Sequence, residues 1–496
     1  MKILLVYPRY PETFWSFQHI LKILGKKGTI PPLGLLTVAS ILPKKWEKKL
    51  IDMSVEELKD EDIAWADMVF LSAMIVQKEG VRQIIKQVKE IGRPIVAGGP
   101  LFTTGWEEFT KKVDHLVLGE AEETLPLFLK DLKIDKPKKV YNSKNFPDLK
   151  KKSVLPSYNL LKVSKYVSLA IQYSRGCPFN CDFCDIVRLN GRQPRYKTVG
   201  QIIKELEVLR KLGWRSGVFF VDDNFIGNRI AVKKEILPAI IKWQKKYRYP
   251  FGFITQASIN LADEPELMDL MVKAGFTAVF VGIETPEVDS LKECHKFQNQ
   301  NRDLVETVKK MQKAGLEVQG GFIVGFDHDK PTIFKRQVEF IQKSGIVTAM
   351  VGLLNALPKT RLYQRLQETG RLVKQTTGDN TAFDLNFKPK MNKKVLMDGY
   401  AQILENIYSP KQYYQRVITF LREFKPPFRN SLPKIRWLHI RALVASFWIL
   451  GVKSKGRLYF WKLIFWSLFK KPKTFAHAIG FSITGLHFRR LYDKKA

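Results

Sequence analysis

Three of the chain's four cysteines lie in one ten-residue stretch, Arg175-Gly176-Cys177-Pro178-Phe179-Asn180-Cys181-Asp182-Phe183-Cys184. Thiolates at such spacing are metal ligands. Gaps of three and then two residues let a single tight loop wrap three sulfurs around one centre, and Gly176 and Pro178 supply its turns. A zinc site would want a fourth protein ligand, usually from a second Cys/His pair, and no nearby pair offers one. A 4Fe-4S cluster held by Cys177, Cys181 and Cys184 instead leaves one iron free for a small molecule. Structural cysteines rarely cluster this way, and disulfides need pairs. The fourth, Cys294, sits in Lys292-Glu293-Cys294-His295-Lys296 and reads as a small apolar filler on a helix. With three cysteines in one loop there is no disulfide framework, as expected in a reducing compartment.

Cys-x3-Cys-x2-Cys with the aromatic Phe183 before its last cysteine resembles the signature of the radical S-adenosylmethionine (SAM) superfamily. The resemblance implies a 4Fe-4S cluster whose fourth iron chelates SAM, and cleavage of SAM to a 5′-deoxyadenosyl radical. The cofactors carry the radical chemistry and the protein positions them.

The elements around the loop must hold it. Over 166–375 strand and helix alternate six times, with strands read at Val167 to Tyr173, Gly217 to Asp222, Gly252 to Ala257, Ala278 to Ile283, Glu317 to Val324 and Val347 to Leu354. Helices close on a recurring ending in Gly213, Gly275, Gly315, Gly345 and Gly370, since glycine just past a helix takes the left-handed backbone that other residues resist. Thr198 with Gln201 reads as a capping box for the first helix. Six β/α units make a partial barrel, whose reactive groups belong on the loops at the carboxyl ends of its strands. The cysteine loop obeys this by following the first strand. By resemblance, SAM-binding positions fall on Asp222 and Asp223 after the second strand, Gln256 on the third, Glu284 on the fourth, and Gly320, Gly321 and Gly325 on the fifth.

Before the barrel, residues 1–135 alternate short apolar runs with helical stretches, the sign of a parallel sheet covered by helices. Strand ends at Ser72, Gly98-Gly99 and Gly119-Glu120 mark where a ligand of such a sheet sits. The region resembles the Rossmann-like cobalamin-binding domain that precedes many radical SAM barrels, so these five residues are the expected cobalamin contacts. The Asp-x-His-x-x-Gly motif that ligates cobalt in many cobalamin domains is missing. Residues 136–165, rich in Lys, Pro, Asn and Ser, read as a linker.

Residues 376–496 carry neither rhythm and are expected to be mostly helical. Asn386-Phe387-x-Pro389-Lys390-Met391 and Ile407-Tyr408-Ser409-Pro410-Lys411-x-Tyr413-Tyr414-x-Arg416 resemble the extra C-terminal domain of a branch that includes hopanoid C-2 methylase-like enzymes. Tyr7-Pro8 and Phe14-Trp15-Ser16-Phe17 resemble the N-terminus of the same branch. The formal charge is +35, and Leu421 to Ala496 hold 17 Lys or Arg against 2 acidic residues. The apolar stretches Ala442 to Val452 and Leu458 to Phe469 are far below the roughly 20 residues a membrane span needs. Rich in Trp and Phe and flanked by cations, they suit an interfacial helix pair on an anionic membrane surface; two core helices of a small domain are the plainer reading.

The fold class expected is thus α/β, with a Rossmann-like cobalamin-binding-type domain, a partial (β/α)6 radical SAM barrel and a mostly helical C-terminal domain. The activity expected is cobalamin-dependent C-methylation of an unactivated carbon, with an isoprenoid lipid as substrate. An aliphatic C–H has no accessible pKa, so acid/base chemistry cannot open it. Cobalamin-independent radical C–C bond formation or ring closure on a lipid is the first alternative, and a tRNA-modifying radical SAM enzyme the second. Nucleic acid is the less expected partner: tRNA methylthiotransferases carry three further cysteines in an N-terminal domain, and no cysteine precedes Cys177 here. A small electron donor such as a ferredoxin or flavodoxin is implied. The opening Lys2-Ile3-Leu4-Leu5-Val6-Tyr7 reads as a strand rather than a signal peptide, and the expected location is cytoplasmic, peripheral on the membrane.

Overall fold

The computed structural model describes residues 1–426 and 437–493. Its first layer is a parallel sheet of β1 (Lys2–Tyr7), β2 (Glu47–Asp52), β3 (Met68–Ser72), β4 (Ile95–Gly98), β5 (His115–Val117) and β6 (Val140–Tyr141) in the order 2-1-3-4-5-6. β1 is central and near-continuously apolar, and Ile3 to Val6 are fully buried, as a strand covered on both faces must be. The edge strand β6 comes from the stretch expected to be a linker. Its two residues pair with Leu116 and Val117, so part of that polar stretch completes the sheet.

The second sheet is the barrel wall. β7 (Ser168–Ile171) leads into the short hairpin β8 (Ser174–Arg175) and β9 (Arg195–Tyr196). Then follow β10 (Gly217–Phe220), β11 (Gly252–Gln256), β12 (Phe276–Glu284), β13 (Glu317–Val324) and β14 (Ala349–Leu353). The six wall strands are parallel, in the order 14-13-12-11-10-7, so β14 and β7 are the edges of an unclosed barrel. The five helix-ending glycines expected from the sequence all have positive φ, from +64° to +106°. The Thr198–Gln201 capping box is formed as well.

Side chains along the wall alternate, as the strand period demands. Val218, Phe220, Phe253, Val279, Val281 and Val318 are buried beneath the helices. Phe219, Ile254, Gln256, Phe280, Ile323 and Met350 lie half-buried on the opposite face, toward the lumen.

A strap that continues β1 lies along the barrel's open seam. Val167 and Ser168, beside β7, donate their N–H groups to Gly28 O and Thr29 O, both at 3.0 Å. At the other edge the Trp15 indole N–H reaches Met350 Sδ of β14 at 3.1 Å, and its ring stands edge-on to Phe280 of β12, 5.4 Å away. The C-terminal region is helical: Lys393–Tyr408, Pro410–Glu423, Trp437–Ser446 continuing through Phe447–Lys453, Arg457–Lys470 and Phe475–Asp493. The last helix fixes the strap, with Phe488 stacked on Phe14 at 4.3 Å and His487 Nε2 3.1 Å from Phe14 O.

Candidate active site

The cysteine loop leaves the hairpin at the carboxyl end of β7. Gly176 has φ +96°, and a Cβ there would lie 2.8 Å from Gln193 O, so glycine is required on both grounds. Its N–H is donated to Asp223 Oδ2 at 2.7 Å, and that oxygen also accepts Asn190 Nδ2–H at 2.9 Å. Further on, Asp182 N–H is donated to Cys294 O and Leu362 N–H to Asp182 O, at 3.1 and 3.0 Å. Cys177, Cys181 and Cys184 are free, half-buried thiols. Burial pushes all three thiols upward, so a metal centre would take them as thiolates with release of their protons. Three free thiols on one fastened loop are the donor set a 4Fe-4S cluster needs. Cys294 is buried, with its thiol 3.6 Å from Leu291 O; it fills space, and its carbonyl holds the loop.

The SAM positions expected from resemblance separate into three groups. Asp222 is corrected: it is fully buried and accepts bonds from Tyr173 N–H (3.1 Å), Ser174 N–H and Ser174 Oγ–H (2.6 Å). Burial raises its pKa to about 7 although those donors pull the other way. It buttresses the hairpin and exposes nothing to a ligand, and Asp223 spends one oxygen on the loop. Gly320 is corrected too, because it faces outward, where a Cβ would strike the Phe322 ring at 2.7 Å. Gly321 faces the lumen beside Phe280, and Gly325, at φ +106°, donates its N–H to Asp329 Oδ2 at 2.8 Å.

Glu284 and Gln256 remain at the mouth, where Phe183 lies 6.3 Å from Phe326. Glu284 sits at a register shift between β12 and β13 and has φ +65°. Such backbone in a non-glycine residue costs of order 1–3 kcal/mol and clusters at functional sites. Its Oε1 meets Lys296 Nζ at 2.7 Å with both side chains nearly buried. Burial alone would lower the Lys296 ammonium; the carboxylate of Glu284 and then Cys181 outweigh it and hold the group charged. A fixed cation beside the cysteine loop suits the SAM carboxylate, and the sequence reading passed over it.

In the first sheet Ser72, Gly98 and Gly99 meet at neighbouring strand ends, where Ser72 pairs with Gly98. A Cβ on Gly98 would lie 2.6 Å from Val117 O, whereas Gly119, at φ +74°, opens onto empty space. This edge has room for a cofactor to approach the backbone closely. Glu120 is corrected, for it turns away to the barrel. It pairs with Arg175 and with Arg195, the latter at 2.6 Å, while Glu122 pairs with Arg175 at 2.8 Å. All four side chains are at most 16% exposed. Arg175 immediately precedes Gly176-Cys177, so this clamp ties the cysteine loop to the cofactor edge of the first domain.

Comparison with known proteins agrees with this arrangement. Residues 25–129 match the B12 binding domain, 171–353 the Radical SAM superfamily, and 360–496 a domain of unknown function, DUF4070. The chain is 40% identical to an uncharacterised methyltransferase of Synechocystis over 98% of this chain and 91% of that one. It is 35% identical to the hopanoid C-2 methylase of Rhodopseudomonas palustris over 93% of this chain and 88% of that one. In fold it is similar to the cobalamin- and cluster-bound radical SAM methyltransferase TsrM of Kitasatospora setae (TM-score 0.63, 13% identity, 99% of each chain). The cobalamin-dependent radical SAM enzyme OxsB gives TM-score 0.63 at 17% identity, over 100% of this chain and 80% of that one. A cobalamin domain clamped to a three-cysteine barrel, with relatives this similar over nearly its whole length, places the chain in the family of cobalamin-dependent radical SAM methyltransferases, whose cofactors are a 4Fe-4S cluster, SAM and cobalamin.

Proposed function

We propose that the enzyme C-methylates an isoprenoid lipid, with a triterpenoid of the hopanoid kind as first choice, taken from an anionic membrane surface. The observation that carries the reading is the lumen wall. Between Gln319 and the cysteine loop the lumen-facing residues Phe219, Ile254, Gln256, Phe280, Ile323 and Met350 are uncharged and, Gln256 apart, apolar, and Trp15 closes the seam beside them. Such a wall solvates a hydrocarbon skeleton and places no charge along its length. The similarity to a hopanoid C-2 methylase supports the same class.

When bound, the cluster, SAM and cobalamin supply hydrogen-atom abstraction and methyl delivery, so that a C–H becomes a C–CH3. In this reading Cys177, Cys181 and Cys184 hold the cluster. Lys296 and Glu284 would hold SAM beside it, Gly321 makes room for the Phe280 ring in the wall, and the Ser72, Gly99 and Gly119 edge would receive the corrin. A small ferredoxin or flavodoxin delivers the electron.

The membrane reading rests on the C-terminal helices. Val444, Trp448 and Val452 form one ridge at helical spacing and Leu458, Phe465 and Phe469 a second, each residue 51–80% exposed. Arg441, Lys453, Arg457, Lys462 and Lys470 flank them, and no acidic residue occurs between Trp437 and Tyr492. Exposed apolar ridges among cations fit an anionic interface. Among the described residues no helix is long and apolar enough to cross a membrane.

The test is anaerobic reconstitution of the full chain with iron, sulfide and cobalamin, followed by incubation with a low-potential reductant, methyl-labelled SAM and extracted isoprenoid lipids. Label in a triterpenoid together with 5′-deoxyadenosine is expected, and Cys181→Ala should lose both. Formation of 5′-deoxyadenosine with no label in any lipid would overturn the methylation of lipid.

A further inference from the structure

At the amino ends of β13 and β14, opposite the cysteine loop, lies a cavity of about 370 Å³. The barrel contributes Glu317, Gln319 and Thr348, the strap contributes Phe17, and the helix Phe475–Asp493 contributes His477 and Thr484. We propose that this chamber binds the hydrogen-bonding terminus, a hydroxyl or amino group, of a long isoprenoid amphiphile whose apolar body occupies the lumen. The proposal rests on the lumen reading above and adds a second recognition site to it.

Three observations carry it. First, the chamber lies on the lumen face of the barrel wall. Gln319 pairs in register with Phe280, and Phe280 and Met350 both touch Trp15. Phe17 in the chamber lies 6.4 Å from the Trp15 ring, so these two strap residues separate the chamber from the apolar wall and would have to part for one ligand to occupy both.

Second, the chamber has a carboxyl group that is short of donors. Glu317 accepts only Gln319 Nε2–H at 3.1 Å and Thr348 Oγ–H at 3.4 Å. No cation pairs with it among the described residues, in a chain with 83 Lys and Arg. Desolvation raises its pKa to about 7, and both of those bonds end on Oε1, which leaves Oε2 for a ligand's hydroxyl or amino group. The carboxyl is half-buried at the cavity, and a ligand donor supplies the bond that its neutral neighbours do not.

Third, the helix keeps the space open. Ala476, Gly480 and Thr484, one turn apart, present small side chains to the cavity, and a Cβ on Gly480 would meet nothing within 4 Å. From Glu317 to Val324 the strand rises about 23 Å at roughly 3.3 Å per residue. A ligand that reaches both the chamber and the reactive mouth therefore has a skeleton of about that length.

The experiment measures binding to the reconstituted full chain by equilibrium dialysis in detergent. The probes are a radiolabelled C30 triterpene hydrocarbon and the same skeleton with a terminal hydroxyl. The wild type should bind the hydroxylated probe about tenfold more tightly, the scale of one hydrogen bond to an ionisable group. Glu317→Leu should erase that preference while leaving hydrocarbon binding unchanged. Thr484→Trp, which fills the chamber from the opposite wall, should weaken the hydroxylated probe alone and so gives a second measure should the first variant fold poorly. Equal binding of both probes by the wild type, or a preference that survives both substitutions, would overturn the chamber and leave the apolar lumen standing. Binding of neither probe would overturn the lumen reading, and the chamber with it.

Discussion

At the residue scale the pair Glu284–Lys296 makes the sharpest prediction. With both side chains at most 13% exposed, Lys296→Met leaves a carboxylate buried without its cation, which costs about 3–5 kcal/mol. The double variant Glu284→Gln/Lys296→Met removes both charges and should recover most of that loss in urea unfolding. Its affinity for SAM, read by equilibrium dialysis on the reconstituted protein, should stay reduced. A double variant that binds SAM like the wild type would make the pair a structural ion pair and nothing more. The three cysteines could be read from the sequence because their spacing is local. Lys296 could not, because its partner lies twelve residues back across a loop, and nothing in Cys294-His295-Lys296 signals that the chain turns the ammonium under the cysteine loop. Asp222 misled the reading for the opposite reason. A carboxylate at a strand end has the same appearance in sequence whether it meets a ligand or, as here, Tyr173 and Ser174.

Between elements, the clamp of Glu120 and Glu122 with Arg175 and Arg195 fixes where the first domain's cofactor edge stands relative to the cysteine loop. Arg175→Met leaves Glu120 with Arg195 and strips Glu122, 2% exposed, of its ion-pair partner, at a cost of about 3–5 kcal/mol. Because the strap still joins the two sheets at both barrel edges, unfolding should stay a single transition at a lower midpoint, with curves that coincide when followed by different probes. An unchanged midpoint would show that the clamp adds nothing to stability. Element order and barrel strands were legible in the sequence because each β/α unit repeats the same local cues: an apolar run, a cap and a closing glycine. The strap was not. Its contacts join Trp15 to Met350 and Phe14 to Phe488, and no periodicity links residues hundreds of positions apart. The edge strand β6 escaped for another reason: with two residues of pairing, it has too little length to show an alternation.

For the whole molecule, exposed apolar ridges and cations occur together in the C-terminal region. The sequence offered two readings of the stretches Ala442 to Val452 and Leu458 to Phe469; in the structure Leu450, Phe460, Leu463 and Ile464 are buried in the helical domain, as core helices require, while the ridges proposed to meet a membrane face outward. Burying a phenylalanine is worth about 1.5–3 kcal/mol, so Phe465→Ser and Phe469→Ser should each weaken partition onto vesicles of phosphatidylglycerol and phosphatidylcholine about tenfold or more. Both side chains are already exposed, at 52% and 80%, so folding stability should hardly change. Vesicles of phosphatidylcholine alone should bind less, and so should anionic vesicles at high salt, where charges farther apart than a few ångström are screened. The aromatic contribution should persist under both conditions. Sedimentation without vesicles separates the alternative cover for these ridges, a second copy of the chain: concentration-dependent dimers that Phe469→Ser abolishes, with vesicle partition unchanged, would move the surface from membrane to self-association.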